Sequence, residues 1–220
     1  MNQIDGPGAL ARFNFESDAR RMTLIGLIGD FLLLIQPIDD YANQNLTFHM
    51  FQHIGLFIFA VVFGYGLERL FIIRLPALRQ RIFPVWKAFT SIMIFNSRTK
   101  GLILAAVVPG IVWGFWHYPP NFDLASTTLI PHLLEHLSYI VSGSMVGLSI
   151  VAIPRRWKIG LLYFAFMQAG MMGSMMLVWP SFFDVYSAAQ NTTMDTAMMM
   201  LGALGILGLS STMLKQLDIV

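Results

Sequence analysis

All five histidines of this chain fall in three short clusters: His49 with His53, His117 alone, and His132 with His136. Two of the clusters are i,i+4 pairs, a spacing that puts two imidazoles on one helix face and lets them reach a common point. His117 could add a fifth donor from another segment. Neutral imidazole suits copper, zinc, iron and nickel, so the chemistry this pattern points to is the holding of a transition metal. Glu135 stands beside His136 and one helical turn from His132, where it could ligate or accept an imidazole N–H and orient the ring. The plainer alternative is a set of rings in a headgroup layer that hydrogen-bond water or lipid. It explains one histidine better than five gathered together.

Other residues could join such a site. Met50 lies between the first histidine pair, and Met172, Met176 and Met198 belong to two methionine-rich stretches near the chain's C-terminal end. Thioether is a soft donor that favours Cu(I), although methionine also fills gaps between packed helices. Asp30 sits within an apolar segment, where it could relay protons, accept from a ligating histidine, or fix helix packing. There is no cysteine, which excludes a thiolate metal site, a disulfide framework and a cysteine nucleophile. No phosphate-binding glycine loop, nucleophile elbow or nucleic-acid patch is present.

The elements that must position these residues are membrane helices. The chain has 220 residues, a mean hydropathy of +0.64 and only 12% charged residues, about half the charge of an ordinary soluble domain. Runs of roughly 17–25 apolar residues are long enough to cross a bilayer. The expected fold is an all-α polytopic membrane bundle of about six spans within residues 22–215, preceded by a polar segment over residues 1–21. The spans run from Met22 to Ile38, His49 to Leu70, Gly101 to His117, His132 to Ile153, Ile159 to Trp179 and Thr196 to Leu214. Residues 75–100 mix basic and aromatic side chains and read as an amphipathic segment lying on anionic lipid. Pro119-Pro120 reads as the stop of the third span, and Gly143, Ser144 and Gly147 as a close helix contact.

With six spans, all fourteen Lys and Arg residues fall on one side. They occupy the N-terminal segment, the second-to-third connection, the fourth-to-fifth loop and the C-terminal end, and the opposite loops carry only acids, Asp39 and Asp40 among them. Positive residues stay in the cytoplasm, so both termini are expected there. His49, His117 and His132 then stand at the opposite ends of their spans, and all five histidines meet near the extracytoplasmic face.

Three motifs carry a family resemblance. His49-Met50-Phe51-Gln52-His53 resembles the H-M-x-Q-H signature of the CtaG-type cytochrome c oxidase assembly factors. Trp116-His117-Tyr118-Pro119 resembles that family's W-H-x-P, and the run from His132 to Tyr139 its H-x-x-E-H-x-S-F, with Tyr139 in place of Phe. Order and approximate spacing agree over Phe48 to about Gly147. The chain is shorter than typical members and lacks their proline after the second-helix motif, which fits a divergent branch, such as an archaeal one. The resemblance implies a non-catalytic copper protein of a prokaryotic cell membrane. It would serve as assembly factor or accessory subunit of a copper-containing terminal oxidase or monooxygenase, whose subunits would be its partners. Alternatives that the residues leave open are a b-type haem electron-transfer protein, a zinc hydrolase using Glu135 or Asp123 as base, and a purely structural subunit of an oxidase complex.

Overall fold

The computed structural model describes residues 9–74, 100–150 and 153–216, and these are all-helical. The expected lipid-surface segment at residues 75–100 lies almost wholly outside the described residues. Among the described residues eight helices follow in order: α1 (Ala9–Leu34), α2 (Gln36–Gln44), α3 (Leu46–Arg74), α4 (Lys100–Trp116), α5 (Pro119–Thr127), α6 (Leu129–Ile150), α7 (Arg155–Val178) and α8 (Ala188–Gln216).

Four of them, α3, α6, α7 and α8, are long and apolar enough to cross a membrane. A fifth span results if α1 and α2 are taken as one segment bent by 58°. The third span expected from the sequence corresponds to α4, whose described apolar part, Ala105–Trp116, is shorter than a span. Large apolar side chains cover the outside of the bundle: Phe31, Ile111 and Leu207 are each about two-thirds exposed, as suits a surface solvated by lipid tails. By length and composition these helices are compatible with a multi-pass membrane protein.

α1 begins at Ala9, so residues 9–21 of the polar N-terminal segment are helical and continuous with the apolar stretch that follows. Pro119 and Pro120 stop α4 and at the same time open α5, where proline's missing N–H costs nothing.

Two helix pairs position the histidines. α3 lies between α1 and α6 and packs extensively against both. The α3–α6 approach depends on glycine: a Cβ at Gly143 would stand 2.5 Å from the Phe57 carbonyl oxygen and 2.9 Å from the Ala60 Cβ. Gly147 and Gly64 open the same seam further along, against Val61 and Ser144. Small residues let backbones close up where lipid supplies no hydrophobic drive between helices. The chain thereby brings the faces bearing His49 and His53, and His132 and His136, against each other.

Candidate metal centre

α3 is held at its start by Asn45, whose side-chain oxygen accepts from the Phe48 N–H at 3.0 Å, an N-cap. The Leu46 N–H donates to Gln190 of α8 at 3.0 Å, so the entry to α3 is tied across the bundle. His49 and His53 follow one turn apart and are fully buried, with ring centroids 4.4 Å apart. His132 and His136, in the first turns of α6, have centroids 4.2 Å apart. Across the seam His49 lies 6.0 Å from His132 and 6.3 Å from His136.

One ligand atom from each of His49, His132, Glu135 and His136 lies within 4.8 Å of the others, and all four residues are buried. Glu135 is completely buried; its oxygens stand 4.0 Å from His49 Nε2 and 3.6 Å from His53 Nε2. His49 Nε2, His132 Nδ1, His136 Nε2 and both carboxylate oxygens of Glu135 are buried without a hydrogen-bond partner. Each such orphan costs on the order of 1–3 kcal/mol, more for a charged group. Three imidazoles and a carboxylate are a donor set for copper, zinc or iron, and one ion could take a ligand atom from each of the four residues.

The opposite ring edges are fixed by the protein. His132 Nε2 meets the Asp39 carboxylate at 3.1 and 3.2 Å. A carboxylate can only accept, so Nε2 carries the proton and Nδ1 keeps a lone pair. Asp39 is itself held by the Gln52 amide, which donates to it at 2.9 Å and to the Leu33 carbonyl at 2.7 Å. His136 Nδ1 lies 3.8 Å from Asp39, and His49 Nδ1 bonds the Tyr186 hydroxyl at 3.0 Å. Such carboxylate–histidine contacts orient metal ligands and strengthen their basicity.

The remaining expected residues are placed differently. His53 is buried beside Glu135, with both ring nitrogens unpartnered, but stands outside the four-residue group. His117, just past the end of α4, stacks on Trp113 and bonds its carbonyl oxygen at 2.9 Å. Met50 faces His117. Met176 and Met198 are buried with Met50, Met194, Phe122 and Phe183 in an apolar core, and Met172 packs against it. Asp30 is buried in α1 with Oδ1 unpartnered and joins no histidine among the described contacts. Asp123 is not in the group either.

Asp39, Gln52 and Tyr186 were not singled out by sequence as site residues. Gln52 lies inside the histidine run, but its amide's targets belong to α1 and α2. Asp39 appears in sequence only as one acid on the base-free side. Tyr186 is 137 residues from His49, and no spacing signals it.

No curated protein and no solved structure matches the chain. A family model does, over residues 27–217, which covers α3 through α8 and every residue of the site. The chain therefore belongs to the family described as Protein of unknown function (DUF1404).

Proposed function

We propose that this chain is a non-catalytic membrane copper protein, an assembly factor or accessory subunit of a membrane copper enzyme. The observation that carries the reading is the group of four buried residues, His49, His132, Glu135 and His136, whose ligand atoms lie within 4.8 Å of one another. Uncompensated imidazole and carboxylate groups are too costly in a membrane bundle to persist without a partner. The donors converge on a point, which favours a single ion over a haem, whose two axial rings would face each other across a flat macrocycle.

Copper is preferred over zinc for two reasons. Copper(II) stands above zinc in affinity for such N/O sites. The H-M-F-Q-H, W-H-Y-P and H-L-L-E-H runs also resemble, in order and spacing, those of the CtaG-type oxidase assembly factors. In this reading six segments cross the membrane, with α4 as the short third one, and both termini are cytoplasmic. The metal centre lies near the extracytoplasmic face, where a copper-dependent oxidase or monooxygenase could receive or share the ion.

The test is elemental analysis with a visible spectrum on mildly purified protein, with and without its co-purifying subunits. Copper bound to the chain, no Soret band and a copper enzyme among the partners are expected. A Soret band, or a folded chain that takes up no copper, would overturn the reading.

A further inference from the structure

His117 and Met50 make a contact that ordinary hydrogen bonding does not explain. His117 Nε2 and Met50 Sδ are 3.2 Å apart, and both residues are buried. The other ring nitrogen, Nδ1, lies 2.9 Å from the Trp113 carbonyl oxygen and 3.3 Å from the Tyr139 hydroxyl. A carbonyl can only accept, so Nδ1 carries the proton. The neutral ring has one proton, so Nε2 presents a lone pair. A thioether also presents lone pairs. Two acceptors therefore face each other at contact distance in a dry interior, an arrangement that a cation between them would turn from repulsive to favourable.

A second observation points to the same place. His53, wholly buried, has both ring nitrogens unpartnered, and its ring centroid lies 6.0 Å from that of His117. Its i,i+4 relation to His49 leaves it beside the four-residue group without belonging to it.

We propose that His117 Nε2 and Met50 Sδ, with His53 beside them, form a second metal site, separate from the His49/His132/Glu135/His136 centre and selective for a soft monovalent cation, Cu(I). The His117 imidazole and Met50 thioether are a soft pair that favours Cu(I), and of this site only His53 also reaches the Glu135 carboxylate, at 3.6 Å, whereas the carboxylate-bearing centre accepts a divalent ion. The chain thus holds two donor sets of unlike softness side by side, with His53 between them. This site stands on its own contacts and does not require the first centre to be filled.

The probe is Ag(I), a soft monovalent stand-in for Cu(I). The full chain in detergent is first exposed to Zn(II), then dialysed against Ag(I) with excess free methionine, which outcompetes exposed thioethers such as Met167 and Met171. Silver-edge X-ray absorption reads the donor atoms. Uptake of about one Ag(I) with both N and S donors, without release of Zn(II), is expected. Met50→Leu, which conserves volume, should weaken Ag(I) binding by about tenfold or more and leave Zn(II) unchanged. Unchanged Ag(I) affinity in Met50→Leu, absence of an S donor, or displacement of Zn(II) one for one would overturn the proposal. Failure of the four-residue centre would show separately, as a chain that binds no Zn(II) at the outset.

Discussion

At the scale of residues, the division of labour between ring nitrogens organises the site. His132 gives one nitrogen to Asp39 and keeps the other free; His49 does the same with Tyr186. Asp39→Asn removes the acceptor charge while keeping the shape. Metal affinity is expected to fall about 10–100-fold with full occupancy still reached at high metal, as read by competition with a chromophoric chelator. Glu135→Gln removes a donor, so loss of binding is expected there; equal behaviour of the two variants would show that Asp39 does not act through His132.

At the scale of elements, the α3–α6 seam carries the ligands, and its glycines set the separation. Gly143→Ala would push a methyl against the Phe57 carbonyl and the Ala60 side chain. Overpacking of this kind costs about 1–3 kcal/mol, so a lower melting temperature and weaker metal binding are expected together. Gly160→Ala on α7, where a Cβ meets nothing within 4 Å, is the control and should change neither. If Gly143→Ala also changes neither, the seam is not what sets the ligand geometry. The i,i+4 pairs and the small residues of this seam were legible in sequence because both depend only on helical periodicity. The role of Asp39 was not, because it depends on the break at Leu34–Gln36 that turns α2 by 58° and carries the carboxylate to α6. Nor could spacing separate His53 from His49: both lie on one face and both stand beside Glu135, and the facing helix alone decides that His49 meets His132. The methionines read from sequence as soft ligands divide likewise, Met50 meeting a histidine while Met176 and Met198 fill an apolar core.

At the scale of the molecule, the all-helical, apolar-surfaced architecture was legible from composition and run lengths alone. The number of spans was less so, since α4 is short in its described apolar part and α1 with α2 is bent. Reporter fusions at each end test the proposed arrangement: both termini should report from the cytoplasm, and opposite readings would mean an odd number of crossings. The central claim is that four buried side chains hold one transition-metal ion, and the most direct measurement is equilibrium dialysis against Co(II) with the d–d spectrum recorded. The wild-type chain should bind about one Co(II) with a low-symmetry, four- or five-coordinate spectrum, and a His49→Ala, His132→Ala double variant of unchanged helicity should bind none. A folded wild-type chain that takes up no Co(II), or a double variant that binds it equally well, would contradict the account.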